Sequence, residues 1–222
     1  MFLPFLKICG ITRRQDALCC AEAGAGALGA VFYEKSPRNL APAKARQLFA
    51  GLPPHVARVG IFVNAPVATM IRTARIAALD TVQMHGEETV DKIEAILREG
   101  FHVVQAIKRT GKSLLAAARA LPPQVGILVE CGRGALPGGN GIVWDWGKAA
   151  PLAQFRRFAI AGGLNAENIA TAARDSRAAG FDVSSGVELS PGIKDEAAVR
   201  ALLRVARELP VPPRPFSWKG NP

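Results

Sequence analysis

The chain has 222 residues, 49% of them hydrophobic and 21% charged, a balance that suits one large domain and excludes a disordered or fibrous polymer. Its net charge of +10, from 28 Lys+Arg against 18 Asp+Glu, admits nucleic acid or anionic small molecules as partners. No apolar run reaches the roughly 18 residues of a membrane span, and the opening MFLPFLKICG lacks the basic region of a secretory signal, so no membrane association and a cytoplasmic location are expected.

Short β-rich runs alternate with longer alanine-rich stretches along the whole chain. The predicted strands cover residues 6–8, 27–32, 58–63, 81–84, 102–107, 126–130, 157–161 and 180–184. Helical patterns lie between them at 13–23, 42–52, 66–75, 87–98, 113–120, 145–152, 165–179 and 195–208. Eight strands, each followed by a helix, imply parallel pairing and a closed sheet with its helices outside, a single-domain α/β fold of the (β/α)₈ or TIM-barrel class. An open doubly wound sheet is the alternative. Against it, Cys9-Gly10-Ile11-Thr12 after the first strand is not a dinucleotide-binding glycine loop. The barrel is expected to occupy 1–209. The stretch 210–222 begins with four prolines in six residues, cannot continue a helix, and reads as a surface wrap or disordered end.

The four cysteines (Cys9, Cys19, Cys20, Cys131) show no metal-ligand spacing, and no disulfide framework is expected. The basic residues are spread over helical faces, as at Arg72 and Arg75, Arg156 and Arg157, or Arg200, Arg204 and Arg207. There is neither a basic block nor interleaved aromatics, so no nucleic-acid partner is expected.

In such a barrel the chemistry sits at the C-terminal ends of the strands. Those positions hold Cys9, Asn64, His85, Lys108, Glu130, Asp182 and Ser184-Ser185. Lys7 and Cys9 share parity, so both face inward if either does, and a nearby ammonium favours the thiolate. Taken alone, Cys9 reads first as a buried, inert thiol. Glu130, ending the apolar run Gly126-Ile127-Leu128-Val129, must be solvated at the rim, paired, or held neutral, and in the last state it can act as a general acid. Two strand-to-glycine junctions, Gly162-Gly163 and Ser185-Gly186, come at the seventh and eighth strands. That is where barrels often bind phosphate through backbone N–H groups.

KICGIT (7–12), VGIFVN (59–64), VQMHGEE (82–88), PGGNG with WDW (137–146), AGGLNAENI (161–169) and DVSSGVELSPGIKD (182–195) together resemble the phosphoribosylanthranilate isomerases of tryptophan biosynthesis. The resemblance spans about 6–208. It implies an Amadori rearrangement of N-(5-phosphoribosyl)anthranilate without metal or organic cofactor, on a small phosphosugar, in a monomer or homodimer. By position it makes Cys9 the general base and places the general acid at Glu130. Arg38 falls on the anthranilate carboxylate, Asp182 near the ribose, and Gly162, Gly163, Ser185 and Gly186 on the phosphate. Lys7, Gln83 and His85 are further candidates for substrate contact.

Three departures fall on the acid side. The family carries an aspartate where this chain has Glu130. Gly138-Gly139-Asn140-Gly141-Ile142 replaces Gly-Gly-Thr-Gly-Lys, and the loop 131–136 is unusual. Loop 131–136 is the expected place for compensation of the longer acid. They leave open an altered substrate, a second phosphosugar isomerase class, or a barrel retained for binding alone.

Overall fold

The computed structural model describes residues 2–108, 113–132, 141–210 and 214–220. Eight parallel strands close in sequence order: β1 (Leu3–Ile8), β2 (Ala25–Phe32), β3 (Ala57–Phe62), β4 (Thr81–Met84), β5 (His102–Lys108), β6 (Gly126–Glu130), β7 (Ala159–Ala161) and β8 (Gly180–Val183). Closure is the β8–β1 pairing, in which Lys7 lies opposite Asp182. The helices are α1 (Arg14–Ala23), α2 (Pro42–Phe49), α3 (Val67–Ala77), α4 (Val90–Arg98), α5 (Leu114–Arg119), α6 (Ile169–Ser176) and α7 (Glu196–Ala206). A 3₁₀ segment, Trp146–Gln154, occupies the place of the helix between β6 and β7, with Pro151 removing a backbone donor from its middle. A two-stranded hairpin, β9 (Glu188–Ser190) and β10 (Ile193–Lys194), follows β8. This is the (β/α)₈ architecture expected from the alternation.

Element boundaries depart from expectation where side chains compete for the backbone. The fourth helix begins at Val90 instead of residue 87, because the Glu88 carboxylate accepts from the N–H groups of Gly86 and Asn64. Likewise α6 starts at Ile169, since the Asn165 side chain accepts from the N–H groups of Glu167 and Asn168 and winds a turn first. By contrast α7 starts where its cap is. Asp195 accepts from the N–H groups of Ala197 and Ala198 at 2.8 and 3.2 Å.

Inward positions of the barrel are mostly small: Ala27, Ala57, Ala106, Ala159 and Ala161 join Val59, Ile61, Val104 and Leu128. Phe216 and Trp218, each 1% exposed, belong to the same cluster. Residues 214–220 are therefore not a surface wrap. They return beneath the sheet, and the expected boundary at 209 does not separate them from the barrel core. Apolar burial of two aromatic rings outweighs the polar composition around them.

Arg156 also corrects the sequence reading, which placed it on a solvated helical face. Its guanidinium donates to the carbonyls of Ala118, Leu121, Pro122, Pro123 and Val125, gathering the turn between α5 and β6. Burial lowers its pKa from the ordinary arginine value. A planar five-donor group suits this convergence of oxygens, and an ammonium does not. Arg156→Met should therefore lower stability by about 1–3 kcal/mol, the cost of stranding half-buried acceptors, and Arg156→Lys should restore little. A urea titration with a lowered midpoint and unchanged slope is the expected result.

Candidate functional site

The C-terminal ends of the strands surround a cleft of about 750 Å³, open on one side, lined by Cys9, Arg38, His85, Glu130, Asp182 and the glycine loops after β7 and β8 among others. Cys9 follows β1, its N–H donating to the Val183 carbonyl across the barrel seam at 2.8 Å. Space for the thiol comes from Gly29 on β2: a Cβ there would lie 2.9 Å from Cys9 Sγ. Beneath it, Lys7 is wholly buried with Nζ 2.6 Å from Asp182 Oδ1.

Shared parity of Lys7 and Cys9 is borne out, but its electrostatic consequence is smaller than expected. Burial pushes the Cys9 thiol above its ordinary 9.0, and the lowering influence of Lys7 and Lys194 does not overcome burial together with the Asp182 charge. Lys7 moves the other way: burial pulls it down, and Asp182 and Cys9 more than offset this, leaving it raised. The free site thus holds a protonated thiol beside a protonated lysine.

Glu130 is 6% exposed and paired. Its Oε2 meets His85 Nε2, reaching from β6 to the loop after β4. The other ring nitrogen, Nδ1, is 3.2 Å from the amide nitrogen of Gln83. An amide N–H donating to Nδ1 makes Nε2 the protonated nitrogen, so a proton lies between imidazole and carboxylate. Gln83 and Lys7, both expected as substrate contacts, do not line the cleft. They sit one layer deeper and orient residues that do.

Arg38 lines the cleft beside Gly10 and is held by a residue the sequence reading did not single out. Glu188, at the start of β9, accepts from Arg38 Nε at 2.9 Å and Nη2 at 2.6 Å, which leaves the Nη1 edge outside the fork. Lys194 completes the cluster, donating to Glu188 Oε1, the Cys9 carbonyl and the Ser184 carbonyl at 2.8, 2.6 and 3.2 Å. Both cations lower the Glu188 pKa against the opposing effect of burial. Two cations share one carboxylate, so this corner carries unbalanced positive charge. Its members are 150 residues apart in Arg38 and Glu188, and no local pattern announces them.

The remaining side is backbone. Gly162 and Gly163 adopt φ of 99° and 67°. The Gly163 carbonyl accepts from Asn168 Nδ2 at 2.8 Å, and Trp144 Nε1 donates to the Ala161 carbonyl, fixing the loop from both directions. Gly186 admits no other residue, because a Cβ would fall 1.9 Å from the Leu164 carbonyl oxygen. Ser184 and Ser185 flank it in the cleft wall. Of the acid-side departures, Gly141 lines the cleft, whereas 133–140 lie outside the described residues. Among the described residues no helix is long and apolar enough to cross a membrane.

Comparison with known proteins agrees with this arrangement over nearly the whole chain. The family model of N-(5'-phosphoribosyl)anthranilate isomerase matches residues 6–205. The N-(5'-phosphoribosyl)anthranilate isomerase of Pelobacter propionicus is 40% identical over 203 residues, covering 91% of this chain and 95% of the relative. That of Pseudomonas fluorescens (strain Pf0-1) is 42% identical over 204 residues, covering 90% and 97%. Among solved structures, phosphoribosyl anthranilate isomerase from Thermotoga maritima superposes with a TM-score of 0.83 at 36% identity, over 93% of this chain and 100% of that one. A phosphoribosyl anthranilate isomerase in complex with reduced 1-(o-carboxyphenylamino)-1-deoxyribulose 5-phosphate gives 0.79 at 36% identity, with the same coverage. The chain belongs to the N-(5'-phosphoribosyl)anthranilate isomerase family.

Proposed function

We propose that this chain isomerises N-(5'-phosphoribosyl)anthranilate in tryptophan biosynthesis with Cys9 as general base and Glu130 as general acid. The observation that carries the assignment is that both groups line one cleft, Cys9 over the Lys7–Asp182 pair and Glu130 on His85. The reaction is an Amadori rearrangement. Glu130, drawing on the proton it shares with His85 Nε2, delivers a proton to the ribose ring oxygen as the C1–O bond breaks, leaving an open-chain iminium. Cys9, as thiolate, takes the C2 proton, and the resulting enol-amine tautomerises to the aminoketose 1-(2-carboxyphenylamino)-1-deoxyribulose 5-phosphate.

Substrate and product are isomers, so what the acid side gives up is regained within the cycle. His85 is placed to buffer that exchange, because its Nε2 shares a proton with Glu130. This pairing also answers the substitution of glutamate for aspartate: the longer arm is anchored by the imidazole on the loop after β4. The substrate phosphate fits the wall of Gly162, Gly163, Ser185 and Gly186, where backbone can approach its oxygens closely. The anthranilate carboxylate fits the Nη1 edge of Arg38, in the corner of surplus positive charge. Asp182 then lies along the ribose between the two anchors, and holding both ends confines the sugar near its reactive geometry. The thiol of the free site becomes the thiolate base with substrate bound, because the iminium charge beside Cys9 adds to that of Lys7 in favouring the anion.

Complementation of a tryptophan auxotroph lacking this isomerase tests the activity itself: growth is expected from the wild-type chain and not from Cys9→Ala. In purified form Cys9→Ala should lose at least about 10²-fold in kcat with KM kept within a few-fold, the scale of a lost general base. Alkylation of Cys9 by iodoacetamide in the free enzyme should titrate above 9.0, in line with its burial, and a midpoint below that value would contradict the environment described.

Glu130→Gln keeps the shape of the side chain but has no carboxyl proton to give, so kcat should fall by about 10²-fold or more with KM little changed. Glu130→Asp should also lower kcat, because the shorter acid cannot reach both His85 and the ring oxygen. Higher activity in Glu130→Asp would show that the longer acid is matched to a different substrate. Steady-state kinetics on phosphoribosylanthranilate distinguish these outcomes.

A further inference from the structure

We propose that residues 214–220 form the floor of the barrel and that Trp218, its indole face against the Lys7 ammonium, is a positioning residue that holds Lys7 to Asp182 and Cys9. The floor is built from the starts of the strands. The N–H of Phe216 donates to the Ala179 carbonyl at 2.8 Å just before β8, and the Trp218 carbonyl accepts from Thr81 Oγ1 at the start of β4. Trp218 Nε1 donates to the Phe5 carbonyl in β1 at 3.2 Å. Lys219 Nζ reaches the Pro54 carbonyl before β3, and Gly220 lies against the His102 ring at the start of β5. Room for the rings is made from the other side: a Cβ at Gly180 would lie 2.7 Å from Phe216, and one at Gly126 would lie 3.0 Å from it.

The connection upward is the Lys7 ammonium, 4.9 Å from the centroid of the Trp218 ring. Lys7 is 0% exposed, and although Asp182 Oδ1 is 2.6 Å away, the approach is not aligned as a hydrogen bond. Among the described residues Nζ has no hydrogen-bond acceptor. The ion pair with Asp182 holds one side of the ammonium, and its remaining side is covered by what else surrounds it. Here that is an aromatic face within the range of a desolvated cation–π contact. Charged groups near Lys7 are Asp182 and the Cys9 thiol, and those acting on Cys9 are Lys7, Asp182, Lys194 and Arg38. The family match ends at residue 205, so this support comes from a segment beyond it.

The catalytic part of the inference rests on Cys9 being the base, so the test has a readout that does not. Trp218→Leu fills the floor without a π face, and Trp218→Phe retains one. Iodoacetamide alkylation of Cys9, followed by peptide mass spectrometry at about pH 8, should slow about tenfold in Trp218→Leu and by less in Trp218→Phe, as the thiolate loses its neighbouring cation. In the same order kcat should fall, with KM within about twofold. An alkylation rate unchanged or raised in folded Trp218→Leu would reduce the floor to packing and overturn the proposal. Normal turnover in Cys9→Ala would remove the base assignment and leave the alkylation comparison standing. If Trp218→Leu does not fold, incorporation of ring-fluorinated tryptophan, which weakens the π face at constant shape, should slow alkylation in the wild-type chain and not in Trp218→Phe. Equal slowing in both would overturn the assignment to Trp218.

Discussion

The seam between β1 and β8 fixes what the mouth of the barrel can do. Parallel register sets Lys7 opposite Asp182 and runs on to the hydrogen bond between Cys9 N and the Val183 carbonyl. Because side chains alternate along a strand, that register alone aims Lys7 and Cys9 into the interior, stacked one above the other. A slip of one residue would send both into the apolar layer under the helices, where neither charge nor thiolate could exist. An ion pair is a costly way to close a barrel: leaving either partner alone in the core costs on the order of 3–5 kcal/mol. Its place at the seam sets its charge directly beneath Cys9.

The cleft separates the two groups proposed for proton transfer by environment. Cys9 has cations on several sides and a buried position, whereas Glu130 is held by an imidazole whose tautomer is set by Gln83. Two groups with opposite tasks in one pocket need such separate surroundings. The anchors at the ends are equally divided. Backbone around Gly163 and Gly186 offers donors without charge, and the Arg38–Glu188–Lys194 corner offers charge in a rigid frame. Rigidity there comes from the β9–β10 hairpin, which folds over the mouth and ties the Cys9 and Ser184 carbonyls to Lys194.

Much of this was legible in the sequence for a simple reason. Strands buried on both faces read as continuous apolar runs, and their abrupt ends at Cys9-Gly10, His85-Gly86, Gly162-Gly163 and Ser185-Gly186 mark the mouth. The lost parts are those in which distant residues cooperate. Glu188 and Lys194 stand in a quoted motif, yet nothing local shows that Arg38 lies between them and Cys9. Arg156 looks like any helical arginine until the carbonyls of the α5–β6 turn surround it. Residues 214–220 have the composition of a solvent-exposed end. Only the run of alanines at inward positions, Ala27, Ala57, Ala159 and Ala161, hints that something large must come from elsewhere to fill the barrel. Helix starts were missed where the Glu88 side chain turns back to the N–H groups of Gly86 and Asn64, and where Asn165 takes backbone donors that a propensity argument assigns to the helix.

The floor has a consequence for the order in which the protein is made. The ribosome delivers residues 214–220 after all eight strands, so during synthesis the sheet can pair while its interior still lacks Phe216 and Trp218. Without them the alanine-lined lower barrel is under-filled. The close packing of the lower barrel thus depends on a short segment that follows every strand in the chain. Anything that keeps residues 214–220 from reaching the sheet, such as a bulky domain fused directly after them, would leave a chain with the right topology and a loose interior.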